Sequence, residues 1–153
     1  MKTLKYLITI CLIFTFIKID NGNFNKKFLR LTQDINYTSL YEEIIHHDIK
    51  FPEVVFAQAM IETGHFGSDL FRKENNLFGM KFPLQRKTTA VKKSNSGYAS
   101  YMTWMHSVYD YKLWQNSVLK SKTITEDEYI RLLGRIYAED KNYMKHIKSL
   151  IKA

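Results

Sequence analysis

The sequence predicts a single α+β domain that is mostly α-helical and carries one small β-hairpin. Helix caps and apolar residues at helical spacing recur along most of the chain from Thr38 onward. One stretch, from Phe82 to Tyr101, instead combines strand-forming residues with a turn. The chain has 153 residues, of which 45% are hydrophobic and 25% are charged. That composition suits one globular domain and excludes disordered and collagen-like proteins.

The first 22 residues are interpreted as a signal peptide that takes no part in the fold. Lys2 and Lys5 precede an apolar run from Tyr6 to Ile17, which is shorter than the roughly 20 residues that span a membrane. The alternative is an uncleaved N-terminal anchor. Residues 23–37 are polar and irregular and are interpreted as a linker, and residues 38–153 form the predicted domain. We therefore expect an exported protein with no stable membrane association after cleavage.

The net charge points to an anionic partner outside the cytoplasm. The formal charge is +8, and removing the three lysines and one aspartate of residues 1–22 leaves +6. No run of five basic residues and no nucleic-acid-binding motif is present, so we expect no nucleic-acid partner. The single cysteine, Cys11, and the scattered histidines give no metal-ligand pattern. We predict a monomer without metal or cofactor.

The first predicted helix follows Thr38. Ser39 and Glu42 have the spacing of a capping box. They precede three apolar residues that we expect on one face of the helix: Leu40, Ile44 and Ile45.

The second predicted helix is the most apolar segment of the domain. Pro52 suits its first turn, and Gly64 follows its last residue, Thr63. Apolar residues on nearly every side indicate a central, buried helix. A short third helix is predicted from a cap at Ser68 to Lys73, and a loop over residues 75–81 follows.

The hairpin and three further helices complete the domain. Strand formers at Thr88, Thr89 and Val91, a turn over residues 94–97 and a return strand over residues 98–101 predict the hairpin. The helices are predicted from Trp104 to about Leu119, from a capping box at Thr125 and Glu128 to about Tyr137, and from a cap at Asp140 to Ile151. Trp114 is predicted to be a core residue.

Glu62 is out of place by the ordinary rules of burial. It lies near the C-terminal end of the most apolar helix. Burial and the negative end of the helix dipole both disfavour the charged carboxylate and raise its pKa. A carboxylic acid that stays protonated near neutral pH can protonate the leaving oxygen of a glycoside. The alternative is a Glu side chain that reaches past the helix end into water.

Four motifs follow one another along the chain. The first is Ala57-Gln58-Ala59-x-x-Glu62-Thr63-Gly64, and the second is Asn75-Asn76-Leu77-Phe78-Gly79-Met80-Lys81. The third combines Tyr98, Tyr101 and Trp104 with Ser107-Val108 and Asp110-Tyr111, and the fourth is Tyr137-Ala138-Glu139-Asp140-x-x-Tyr143.

Together these four motifs resemble the glucosaminidase domain of bacterial autolysins, glycoside hydrolase family 73. The resemblance implies a lysozyme-like fold and cleavage of peptidoglycan glycan strands after N-acetylglucosamine. It implies that Glu62 is the general acid and that Tyr137 is a second catalytic position, although Tyr137 is otherwise explained as an aromatic residue at the edge of the core. Further residues are expected to contact the sugars: Asn76, Phe78, Gly79, Tyr98, Tyr101 and Trp104. Turn chemistry for Asn76 and core packing for Tyr98, Tyr101 and Trp104 remain alternatives.

One departure bears on the mechanism. Many relatives carry a second acidic residue in a longer β-lobe, but no Asp or Glu lies between Asn75 and Tyr101 here. The acetamido group of the substrate is then expected to act as nucleophile, or water is positioned by Tyr137, Glu74 or Asp110. Two other functions remain open, a muramidase or lytic transglycosylase of similar fold and a glycan-binding module without activity.

Overall fold

The computed structural model describes residues 34–137 and 142–152. These residues form helices and one two-stranded antiparallel sheet. In chain order the elements are α1 (Tyr37–His46), α2 (Pro52–Thr63), α3 (Asp69–Glu74), β1 (Lys92–Lys93), β2 (Ala99–Ser100), α4 (Trp104–Leu119), α5 (Glu126–Tyr137) and α6 (Tyr143–Ile151). The predicted α+β class, with mostly helix and a small hairpin, is confirmed.

Helix α2 is the centre of the domain, as its apolar sequence predicts. Pro52 occupies the first turn, and Gly64 ends the helix in the left-handed conformation that a glycine adopts without strain. The helix packs against α1 and α6. Because most of its residues are buried, α2 holds the residue near its C-terminal end in a fixed position.

The start of α1 differs from the prediction. Asn36 is the N-cap, and its side chain accepts a hydrogen bond from the backbone of Ser39, whose hydroxyl accepts one from the backbone of Asn36. The capping box therefore lies three residues before the predicted pair, and Glu42 takes no part in it. Ile45 is 51% exposed. Successive residues of an α-helix lie about 100° apart around its axis, so Ile45 points away from the buried stripe that contains Leu40 and Ile44. Ile35 already packs against the core, so the end of the predicted linker belongs to the folded domain.

The hairpin is shorter than predicted. Lys92 pairs with Ser100 and Lys93 with Ala99, and residues 94–97 form the turn. Thr88 and Thr89 lie outside the strands, because the Thr89 hydroxyl donates to the backbone carbonyl of His106 instead.

Helices α4 and α5 have their predicted bounds, and α6 ends at the predicted residue, Ile151. The capping box at Thr125 and Glu128 is present, with Thr125 N donating to the Glu128 carboxylate at 2.7 Å. Asn142 precedes α6, and the predicted cap at Asp140 lies outside the described residues, as does the predicted signal peptide. Within the described ranges, no helix is both long enough and apolar enough to cross a membrane.

Candidate active site

A cavity of about 760 Å³ opens beside the C-terminal end of α2. Its lining includes residues of the 75–81 loop, the hairpin and helices α4, α5 and α6. The lining residues are Ile61, Glu62, Leu70, Gly79, Met80, Lys81, Arg86, Tyr98, Trp114, Ile136, Tyr137 and Tyr143.

Among the described residues that line this cavity, Glu62 is the acidic one. Its carboxylate Oε1 accepts a hydrogen bond from the Tyr143 hydroxyl at 3.0 Å. Burial raises the pKa of Glu62 above its ordinary value, and the hydrogen bond from Tyr143 offsets only part of that increase. The carboxyl group therefore keeps its proton to a higher pH than an ordinary glutamate, and it lines the cavity into which that proton can be donated.

Gly79 faces the second oxygen of Glu62. The backbone of Gly79 has φ +61°, and a Cβ atom at this position would lie 3.1 Å from Oε2 of Glu62. Only a residue without a side chain combines this backbone conformation with such a close approach. Gly79 thus allows the 75–81 loop to lie directly against the carboxyl group.

We expect Gly79→Ala to slow catalysis by about 10- to 100-fold, because an added methyl group displaces the Glu62 carboxyl from its working position. Gly97→Ala is the matched control. Gly97 also has positive φ, at +83°, but its Cβ would lie 3.7 Å from the Lys93 side chain, away from Glu62. Both variants should lose similar stability in urea denaturation, while only Gly79→Ala loses activity. Equal rates for the two variants would show that the contact with Glu62 is unimportant.

Two tyrosine rings stand beside Glu62. Tyr137 and Tyr143 are parallel, with an interplanar angle of 7° and ring centroids 6.4 Å apart. Trp114 meets the Tyr137 ring edge-on at 5.9 Å. Burial raises the pKa of Tyr137, and the nearby negative charge of Glu62 raises it further. Both phenols therefore stay protonated across the physiological range.

Sequence reasoning did not assign a role to Tyr143 and predicted Trp114 as core. Both residues line the cavity. The signal for Tyr143 was present, since it is the last residue of the fourth motif. Trp114 is half-buried, so its ring serves the core and the cavity wall together.

Two residues of the second motif support the site without lining it. Asn76 is buried, and its amide group donates to the backbone carbonyls of Met80 and Ala99 at 2.9 and 2.8 Å. The Phe78 ring is fully buried against Tyr111. The structure therefore brings Gly79 to the cavity, whereas Asn76 and the Phe78 ring fix the loop that carries Gly79.

The predicted aromatic surface is only partly assembled in the cavity. Tyr98 lines it, and the Lys81 ammonium group lies 3.3 Å from the centre of the Tyr98 ring. Tyr101 and Trp104 are buried in the core and are not brought to the cavity.

The two other acidic residues considered for catalysis have different surroundings. Asp110 is fully buried and accepts two hydrogen bonds from Arg86 and one from the Tyr101 hydroxyl, at 2.8, 2.8 and 2.7 Å. Glu74 lies 3.7 Å from the Lys92 ammonium group. Neither carboxylate lines the cavity. His65, close to Glu62 in sequence, has its ring nitrogen 3.0 Å from the Tyr37 hydroxyl.

The described part of the chain contains no cluster of three or more His, Cys, Asp or Glu side chains that could hold a metal ion. The described residues that line the cavity offer a carboxyl group, two phenols and further aromatic and cationic side chains.

Comparisons with known proteins bear on the fold and the family of the chain. The catalytic domain of the autolysin Auto from Listeria monocytogenes has a similar fold, with a TM-score of 0.54 and 21% sequence identity over 86% of this chain and 92% of that domain. No curated protein sequence matches significantly. The model of the glucosaminidase family, described as mannosyl-glycoprotein endo-β-N-acetylglucosaminidase, matches residues 29–153. The chain therefore belongs to this glucosaminidase family of glycoside hydrolases, family 73.

Proposed function

We propose that the protein is an endo-β-N-acetylglucosaminidase that hydrolyses the glycan strands of bacterial peptidoglycan, with Glu62 as general acid. The observation that carries this proposal is a half-buried carboxyl group of raised pKa in a cavity of about 760 Å³. Family membership supports the type of bond that is cleaved. The resemblance in fold to an autolysin domain supports the cell wall as the source of the glycan.

The mechanism that fits the cavity is substrate-assisted. The carbonyl oxygen of the N-acetyl group attacks the anomeric carbon while Glu62 donates its proton to the leaving sugar oxygen. Water then opens the cyclic intermediate, and the Glu62 carboxylate accepts a proton from it. This route needs one carboxyl group, and Glu62 is the acidic residue among the described residues that line the cavity.

Reducing-end analysis of digested peptidoglycan tests the reaction. New N-acetylglucosamine ends would support the proposal. New N-acetylmuramic acid or anhydro ends would replace it with a muramidase or lytic transglycosylase, and binding without new ends would indicate a glycan-binding module.

Tyr137 is proposed as the second catalytic residue, holding the acetamido group of the substrate by one hydrogen bond. We expect Tyr137→Phe to lower kcat by about 30- to 150-fold, because a hydrogen bond that strengthens in the transition state contributes about 2–3 kcal/mol. The ring packing against Trp114 and Tyr143 is retained in this variant. A rate within threefold of the parent in a protein with unchanged Tm would contradict the catalytic role.

We further propose that the protein is exported by residues 1–22 and acts as a monomer in the cell envelope. The support is the apolar run after Lys2 and Lys5 together with a wall-directed activity. Export is tested by N-terminal sequencing of the secreted protein, which would begin near residue 23.

A further inference from the structure

A row of buried polar side chains crosses the core behind the cavity. It begins at Gln115, whose amide group is anchored to the backbone between α1 and α2. Lys50 N donates to Gln115 Oε1 at 2.8 Å, and Gln115 Nε2 donates to the Lys50 carbonyl at 2.9 Å. Because a backbone N–H only donates and a carbonyl only accepts, the orientation of the Gln115 amide is fixed.

The direction of every later hydrogen bond in the row follows from that anchor. Gln115 Nε2 also donates to the Tyr129 oxygen, at 2.9 Å. The single proton of Tyr129 is then available for the Tyr111 oxygen at 2.6 Å, and the proton of Tyr111 goes to Gln58 Oε1 at 2.7 Å. Each hydroxyl group thus accepts one hydrogen bond and donates one. The oxygen of the Gln58 amide consequently faces Tyr111.

The nitrogen of the Gln58 amide is left on the side of the active site. Gln58 is fully buried, and its Nε2 has no hydrogen-bond partner within bonding geometry among the described residues. It lies on α2 four residues before Glu62, on the same face of the helix. Burial raises the pKa of Tyr137 and of Tyr143, and a smaller effect of the Gln58 amide lowers the pKa of both groups. The two phenols are therefore close enough to the Gln58 amide to interact with it, and Tyr143 is also hydrogen-bonded to Glu62 on the same helix face.

We propose that Gln58 is a positioning residue that donates hydrogen bonds to the oxygens of Tyr137 and Tyr143. Because the Tyr143 oxygen then accepts a hydrogen bond from Gln58, the Tyr143 hydroxyl donates its own hydrogen bond to Glu62, which matches the observed contact of 3.0 Å. Tyr137 is likewise left with its proton directed into the cavity. Tyr137 then donates a hydrogen bond to the acetamido carbonyl oxygen of the substrate, a step that rests on the proposed function. The backbone of Lys50 thereby determines the direction of the hydrogen bonds that lead through the core to the active site.

The proposal is tested by the titration of Glu62, followed by carbon-13 NMR of its carboxyl group in the free protein. In Gln58→Met the Tyr143 hydroxyl loses the donor that polarises it, so its hydrogen bond to Glu62 weakens. We expect the pKa of Glu62 to rise by about 0.5 to 1 unit. Ile44→Val is the control, since Ile44 is a fully buried residue of α1 whose trimming costs stability without touching this row. An unchanged pKa in a folded Gln58→Met variant would overturn the proposal.

Tyr111→Phe provides a second variant that keeps Gln58 in place. It removes the hydroxyl group that fixes the amide orientation, so we expect a smaller rise in the pKa of Glu62. If Gln58→Met does not fold, an unchanged Glu62 pKa in Tyr111→Phe overturns the proposal. A double-mutant cycle adds a readout that simple packing does not produce. The Gln58→Met effect should largely disappear in the Tyr143→Phe background, whereas additive effects would show that Gln58 only packs.

Kinetics separate this proposal from the proposed function. We expect Gln58→Met to lower kcat/KM about tenfold and to move the basic limb of the pH profile upward, because Glu62 keeps its proton to higher pH. If the parent protein releases no N-acetylglucosamine ends, the proposed function fails. The NMR titration still decides the role of Gln58, since it needs no substrate.

Discussion

Glu62→Gln is expected to abolish glycan cleavage in a protein that still folds and still binds peptidoglycan. Glutamine keeps the shape of the side chain and an oxygen that accepts the hydrogen bond from Tyr143, but it has no acidic proton to donate. General acid catalysis contributes roughly 10²- to 10⁴-fold to the rate. The measurement is the release of reducing ends from purified peptidoglycan, with binding to the same material as the control for a formed cavity. Cleavage within about tenfold of the parent rate would reject Glu62 as the acid.

The same variant should differ from the parent in its stability as a function of pH. Burial raises the pKa of Glu62 in the folded state, so the folded protein binds this proton more tightly than the unfolded chain. The parent therefore loses stability as pH rises from the unfolded pKa of Glu62 through its folded value. The variant lacks this loss, and its free energy of unfolding at neutral pH should equal or exceed that of the parent.

Asp110→Ala is expected to reduce the free energy of unfolding by about 3–5 kcal/mol, because it leaves the Arg86 guanidinium group without its buried partner. The Arg86 side chain is 16% exposed and holds Asp110 with two hydrogen bonds of 2.8 Å. Urea denaturation followed by circular dichroism measures the loss. Asp127→Ala is the matched control, because Asp127 forms an ion pair with Lys148 at 2.7 Å on the exposed surface. Equal, small losses in both variants would contradict a structural role for Asp110.

Asp110 also predicts how the domain responds to acid. Burial alone would raise the pKa of Asp110, but hydrogen bonds from Arg86 and Tyr101 outweigh it and hold that pKa below its ordinary value. The stability that Asp110 contributes is present above its unfolded pKa and is lost as pH falls through its lowered folded pKa. Asp110→Ala should therefore be less sensitive to acid than the parent over that range.

The features that were predicted correctly depend on residues close together in the sequence. Pro52 and Gly64 bound α2 because their preferred backbone conformations act locally. The position of Glu62 in the cavity follows from its place near the end of that apolar helix. The error at the start of α1 has a similarly local cause. Asn36 and Ser39 cap the helix as well as the predicted pair would, and sequence patterns do not rank two adjacent caps.

The features that were missed depend on contacts between distant segments. Tyr143 reaches Glu62 across 81 positions of the chain. An aromatic side chain also fits a core as well as a sugar-binding wall, so its residue type did not separate Tyr98 from Tyr101. The two tyrosines differ in their partners. The Tyr101 hydroxyl donates a hydrogen bond of 2.7 Å to the buried Asp110 carboxylate, which holds the Tyr101 side chain in the core.

The described residues place one carboxyl group in the cavity wall, and this has a stereochemical consequence. Glu62 must serve both steps of the proposed mechanism, first as acid toward the departing sugar and then as base toward water. Water therefore enters from the face that the departing sugar has left, while the acetamido oxygen covers the opposite face. The anomeric carbon is inverted twice, and the newly formed hydroxyl group has the β configuration of the bond that was cleaved.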